Sequence, residues 1–229
     1  SAILFCLPKA LIFSQDLVCE YPSDPLFNSN LKFLMKRLVT IPKKLHPLWK
    51  YHVLQAKKNL HEINLSLKDG EFEDFKCKDR VGWFFSGGID AIHTGISVKE
   101  LTDAIHCVGN PANFPLTETN LFLLKKIRPD VALHKVYAPL YDFTEWFYNS
   151  HGCFLGGVGS LFSNLLTSIF INGTEGLEDT DSGSGCPIDH LFSNSKMRFF
   201  SYGHSWKVKK YEFIKNNLHK DVILTNGKC

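Results

Sequence analysis

No C-x-x-C pair occurs among the seven cysteines, which stand far apart at 6, 19, 77, 107, 153, 186 and 229. An odd, scattered set does not make a disulfide framework and encodes no local zinc site; it suits buried thiols in a reducing cytosol, so a cytoplasmic protein is expected. Apolar runs of membrane-spanning length and long polar tracts are both missing, which argues against a transmembrane helix and against a disordered chain. Ala2 to Phe13 is apolar but broken by Pro8 and Lys9, with no basic leader and no small-residue cleavage site, and does not read as a signal peptide. Charge of one sign is lacking too: 26 Lys and Arg against 23 Asp and Glu leave +3, too little to name a partner. Lysines do cluster, at Lys32, Lys36, Arg37, Lys43 and Lys44 and again at Lys207, Lys209, Lys210 and Lys215, which fits either an RNA-contacting face or solvated helix faces. The G-x-S-x-G and H-E-x-x-H signatures are absent, and Ser193-Asn194-Ser195-Lys196 matches S-x-x-K only at chance level.

What is present is a globular composition, 44% hydrophobic and 21% charged over 229 residues, enough for one large domain or two small ones. The chain is organised around Val81 to Val98, V-G-W-F-F-S-G-G-I-D-A-I-H-T-G-I-S-V. Val81 to Phe85 is a short apolar run, Ser86-Gly87-Gly88 breaks it, and Ile92 and Ile96 recur at helical spacing: buried strand, tight loop, helix. Such a layout makes an anion site. The helix start offers unpaired N–H groups and the positive end of its dipole, two glycines let the backbone approach a phosphate, and Ser86 adds a hydroxyl. A carboxylate at Asp90 fits such a site if it caps the helix or holds a Mg²⁺ that bridges to phosphate oxygens.

Residues 1–75 read as a small α+β unit and 76–229 as a larger domain that carries the Ser86 loop, the one that would bind the nucleotide if the loop is a phosphate site. In the first, Ala10 to Phe13 and Leu17 to Tyr21 are expected as paired strands. Ser23-Asp24-Pro25 starts a helix with Phe27, Leu31, Leu34 and Leu38 on one stripe, a second helix covers Pro47 to Asn59, and Ile63, Leu65 and Leu67 alternate as a strand. From Val81 onward strands and helices alternate, with further strands at Ala104–Val108, Val131–Tyr137, Thr167–Asn172 and Met197–Ser201. The expected fold is α/β: a five-stranded parallel sheet with helices on both faces. Ligands in such sheets lie at the carboxyl ends of the strands, where Gly109 and Asn110 suit either an adenine or ribose contact or an ordinary turn. Gly156, Gly157 and Gly159 precede an apolar stretch without the G-x-G-x-x-G spacing and suit either a nucleotide-side helix start or close packing. The polar run from Glu175 to His190 is either a mobile active-site loop or a surface loop. Its Asp179, Asp181, Asp189 and His190 fit a metal or amine contact as well as plain solvation. Ser205 is expected to cap a last helix with Tyr211, Ile214 and Leu218 on one face.

Preceded by V-G-W-F-F, the S-G-G-I-D-A stretch resembles the S-G-G-x-D-S pyrophosphate loop of the PP-loop ATP pyrophosphatase superfamily, which includes asparagine synthetase, NAD synthetase, argininosuccinate synthetase and tRNA-thiolating enzymes. The chain is similar to uncharacterised PP-loop proteins related to 7-cyano-7-deazaguanine synthase and asparagine synthetase, a group that has an α+β leader. G-C-P-I-D-H-L-F-S-N resembles their G-S-H-P-x-x-D-P-L-W-S-like stretch, with Asp189 matching and Cys186 in place of a histidine. Lys207 and Lys210 match a basic pair that follows their last strand. Asn226 to Cys229 matches only part of an N-C-G-K-C-type knuckle. The resemblance implies ATP and Mg²⁺ as cofactors, with Ser86, Gly87, Gly88, Asp90, Ala91, Gly109, Asn110, Gly157 and Gly159 around the nucleotide and Asp90 near the metal. Lys207, Lys210 and Asp90 would serve catalysis, and Asp189 the substrate. The implied reaction cleaves ATP to AMP and pyrophosphate and adenylates a small-molecule, peptide or RNA acceptor. A nucleotide-binding module without turnover and an RNA-modifying protein are the alternatives. Ala91 stands where the family has a hydroxyl, and one lost hydrogen bond to a charged group is worth roughly 1.5 to 3 kcal/mol, on the order of tenfold to a hundredfold in ATP affinity.

Overall fold

The computed structural model describes residues 2–40, 62–70, 79–108, 114–137, 147–173 and 184–218. The expected helix at Pro47 to Asn59, Gly109, Asn110, Asp179, Asp181 and the C-terminal N-G-K-C lie outside the described residues.

Five parallel strands form the central sheet: β3 (Val81–Phe84), β4 (Asp103–Val108), β5 (Ala132–Tyr137), β6 (Ser168–Asn172) and β7 (Arg198–Tyr202), in the order β5-β4-β3-β6-β7. Gly82 lies opposite Asp103 on one side of β3, and Val81 opposite Ser168 on the other. The apolar runs that mark these strands follow from burial on both faces. Along β3, Trp83 and the following Phe85 point into one core, with Ala104, and Phe84 into the other, with Ile105, Ile169 and Phe199. The Trp83 side is covered by α3 (Ile89–Ser97), α4 (Phe114–Ile127) and α7 (Lys207–Asn217) through Ile92, Leu124 and Ile214. The Phe84 side is covered by α1 (Ala2–Phe13), α2 (Pro25–Thr40), α5 (Phe147–Ser160) and the short α6 (Cys186–Asp189), which runs on into a 3₁₀ turn at His190–Phe192.

Asp24 starts α2 as the sequence suggests. One of its oxygens accepts the Phe27 N–H at 2.9 Å, and the other accepts hydrogen bonds from Ser195. Phe27, Leu31, Leu34 and Leu38 are all buried. The expected strand at Ala10 to Phe13 is instead the end of α1. Ile3, Leu4, Leu7, Ala10 and Leu11 are buried, a helical stripe whose burial in the core shared with α5 outweighs the hydrogen bond that Pro8 removes. The other expected strand is real, as β1 (Leu17–Ser23), but it pairs in parallel with β2 (Leu65–Asp69), Leu17 facing Leu65.

Candidate functional site

The chain leaves β3 toward β4 and leaves β6 toward β7, so the connections from these two adjacent parallel strands run in opposite directions and a crevice opens outside their carboxyl ends. That is the switch point where doubly covered parallel sheets bind ligands. Ser86, Gly87 and Gly88 form the β3 lip of this crevice, and Asn172 and Gly173 the β6 lip. The Asn172 amide crosses between them, donating to the Phe84 carbonyl at 2.6 Å.

Gly88 is the residue from which α3 starts, and no side chain caps that start, so the first N–H groups of the helix have no side-chain partner. Asp90, expected as a possible cap, lies in the first turn instead. The loop is held from α4, where Asn120 donates to the Ser86 carbonyl at 2.7 Å. The far end of α3 is held from the residue after α4: Arg128 donates to the Gly95, Val98 and Leu101 carbonyls. The two glycines have different reasons to be there. Gly87 has φ +79°, and a Cβ on it would run into Asn120, so the fold itself requires glycine. Gly88 has an ordinary φ of −76°, and a Cβ on it would meet nothing nearer than the Ser86 hydroxyl at 3.4 Å. The described structure makes no demand for glycine at 88.

Asp90 is neutralised from beneath. Lys210, fully buried on α7, donates to its carboxylate at 2.5 Å and to the Gly173 carbonyl. Lys207 and Lys210, expected to serve catalysis together, have different surroundings. Lys207 is exposed, while the Lys210 ammonium is locked between α3 and the β6 lip, because only α7's inner face meets Asp90. Ser205 does not cap α7; Trp206 occupies that position with no side-chain cap, and Tyr211 is exposed while Ile214 is buried. Ala91, expected beside the nucleotide, is fully buried in the Trp83-side core, where a hydroxyl would gain no contact with the crevice. Gly156, Gly157 and Gly159 lie inside α5 and not before a helix. Added Cβ atoms would strike Phe192, Phe5 and Phe199 at 2.6 to 2.7 Å, so their smallness serves close packing.

Around Lys210 and the β6 lip lie His93 and His204, which no sequence motif marks, and Asp189, expected at the substrate, lies near His204. His93 stacks on Tyr202 and meets Phe213 edge-on, and burial followed by the Lys210 charge lowers its pKa despite Asp90. The His204 ring packs against Gly173. Asp189 is fully buried; one oxygen accepts the Gly185 N–H and the Ser184 hydroxyl at 2.9 Å each. Ser201 lies beside its other oxygen but outside hydrogen-bond geometry. Burial raises the Asp189 pKa, against the Gly185 N–H, the two hydroxyls and His204. Of the buried side-chain polar atoms without a hydrogen-bond partner among the described residues, five lie here: His93 Nδ1, Asn172 Oδ1, Asp189 Oδ2, Ser201 Oγ and His204 Nε2. Buried polar atoms are ordinarily paired; Asp189 and Ser201 neighbour each other, which leaves His93 Nδ1, Asn172 Oδ1 and His204 Nε2 without a partner among the described residues. No sequence motif links residues 93, 172, 201 and 204; only the sheet order brings them together.

The loop geometry fits phosphate binding, but not a resident metal. Among the described residues no three His, Cys, Asp or Glu side chains converge, and Asp90 spends an oxygen on Lys210. A Mg²⁺ arriving with ATP would take its ligands chiefly from phosphate and water. The described helices include none long and apolar enough to cross a membrane. Searches of protein-family models, of curated proteins and of solved structures give no match to this chain.

Proposed function

We propose that the chain is an ATP-binding protein of the PP-loop type, holding the β and γ phosphates over Ser86-Gly87-Gly88. In the reaction the resemblance implies, the bond between the α phosphorus and its bridging oxygen breaks, pyrophosphate leaves with the bonding pair, and the AMP moiety passes to an acceptor oxygen. The acceptor would be a small molecule, peptide or RNA. This chain's part is mainly placement and electrostatics. The uncapped N–H groups at the start of α3 bind the departing pyrophosphate, and Gly88 allows the approach. Lys210 acts indirectly: by cancelling Asp90 it keeps a carboxylate from repelling the phosphates, and it ties α3 to the β6 lip.

The observation that carries this reading is Gly88, a glycine at the switch point that neither its own backbone angles nor its neighbours among the described residues require. A bound phosphate would supply the missing reason. The test is thermal shift. ATP, or AMP with pyrophosphate, is expected to raise the melting temperature of the wild type and not of Gly88→Val. Without nucleotide the two proteins should melt within a few degrees of each other, since among the described residues the valine Cβ meets only the Ser86 hydroxyl, at ordinary contact distance. Equal nucleotide responses in both, or none in either, would sink the assignment.

A second reading, a nucleotide-binding module without turnover, draws on Lys210 and Ala91. The cation expected at the transition state is committed to Asp90, and the position of the family hydroxyl faces the core. Release of pyrophosphate on incubation with ATP and candidate acceptors separates it from the enzyme.

A further inference from the structure

A second concavity of about 600 Å³ opens between the outer side of α2 and the α6–3₁₀ turn, and none of its lining residues belongs to the Ser86 loop or the polar residues around Lys210. Leu191, nearly buried, and Pro187 give it an apolar floor, and Phe33, 62% exposed, stands on its wall. Lys36, Arg37 and His190 also line it, and no carboxylate does among the described residues. Neither Lys36 nor Arg37 is paired with a carboxylate there either. The frame is fixed by the Asn30 amide, which donates to the Ser193 carbonyl at 3.0 Å, and by the Thr40 hydroxyl, which donates to the Arg37 carbonyl at 2.8 Å.

Phe33 precedes Lys36 and Arg37 by three and four residues, so one helical turn sets an open aromatic face beside two uncompensated cations. An anion alone would leave the ring unused, and a flat apolar ligand would leave the cations unused. A ligand that joins a flat ring to a phosphate uses both: the ring stacks on Phe33, the planar Arg37 fork takes two phosphate oxygens, and Lys36 adds a point charge. The volume suits one such unit. We infer that this groove binds a nucleoside monophosphate unit, either free or as part of a single-stranded RNA. The inference does not rest on the reading of the Ser86 loop.

The full chain is titrated with uridine monophosphate by calorimetry and with a labelled hepta-uridylate by anisotropy across a salt series. Arg37→Gln and Phe33→Ala replace exposed side chains, so circular dichroism should show the wild-type fold, and Gly88→Val serves as the control for the other site. Wild type and Gly88→Val are expected to bind alike. Arg37→Gln should weaken binding by about tenfold and reduce the salt slope for the oligomer by about one. Phe33→Ala should weaken both ligands with the slope unchanged, since stacking releases no counterions. Much tighter binding of the oligomer identifies RNA as the source, and similar affinities a free nucleotide. Absence of binding, Arg37→Gln binding like wild type, binding abolished only in Gly88→Val, or an oligoglutamate peptide competing as well as the oligomer would each overturn the assignment.

Discussion

A lysine with no solvent contact is stable only with partners, and Lys210 has two, the Asp90 carboxylate and the Gly173 carbonyl. Lys210→Met should destabilise the fold by about 3 kcal/mol, because it strands a largely enclosed carboxylate. Asp90→Asn should cost more, since it leaves the charge on the fully buried partner. The double variant should recover most of the loss, because neither charge then remains to be stranded. Urea unfolding of the four proteins closes the cycle, and additive losses would show that the pair is not coupled. His93 gives a pH signature. Burial and then Lys210 lower its pKa, so below pH 6.5 the unfolded chain takes up a proton that the folded chain resists. Stability should therefore fall with acidification from about pH 6.5 downward to the depressed folded value. His93→Phe, which keeps the ring against Tyr202 and Phe213, should remove that part of the slope; an unchanged pH profile of the melting temperature would refute it. Neither role was legible beforehand. Lys210 stands among Lys207, Lys209 and Lys215, and nothing local marks which of the four turns inward.

At the scale of elements, α5 shows how one sequence feature serves two purposes. Small residues near a helix allow either a ligand or another side chain to come close, and Gly156, Gly157 and Gly159 do the second. Alanine is the better helix former by about 1 kcal/mol, yet overpacking costs about 1 to 3 kcal/mol. The outcome should depend on what yields. Gly157→Ala presses on the tip of Phe5, a partly buried ring with room to turn, and should be nearly neutral. Gly159→Ala presses on Phe199 and Ile169, both deep in the core, and should be clearly destabilising. Denaturant midpoints of the two variants decide the order, and equal values would contradict it. The strands of the sheet were easier to read, because burial on two faces produces unbroken runs such as V-G-W-F-F. In α1 the stripe of Ile3, Leu4, Leu7 and Leu11 was equally available, but Pro8 pointed away from a helix. The Ser86 loop was legible because its strand, glycines and helix are contiguous. The rest of the crevice was not, because β6, β7 and α7 deliver their residues from far along the chain.

At the scale of the whole molecule, residues from both sides of the expected boundary at 75 and 76 pack together. Leu4, Leu7, Leu31 and Leu34 from the first seventy-five residues share one core with Ile105, Phe154, Ile169 and Phe199. A fragment covering 76–229 would keep only α5, α6 and the 3₁₀ turn on that face of the sheet and expose the apolar surface that α1 and α2 cover. It should bind a hydrophobic dye and melt without a cooperative transition, and a sharp melt by circular dichroism would show instead that the leader is an addition. The strand order also has a meaning in time. The central strand is the first of the five to be synthesised, and its β4 side can be filled early by Asp103–Val108, but its other edge must wait for Ser168–Asn172. Long-range parallel pairing is intrinsically slow, so β3 stays half-paired while everything from α3 to α5 is made. Gly173, His204 and Lys210 come later still. On a growing chain the Ser86 loop is therefore laid down early, and the floor that neutralises Asp90 and steadies the loop arrives last.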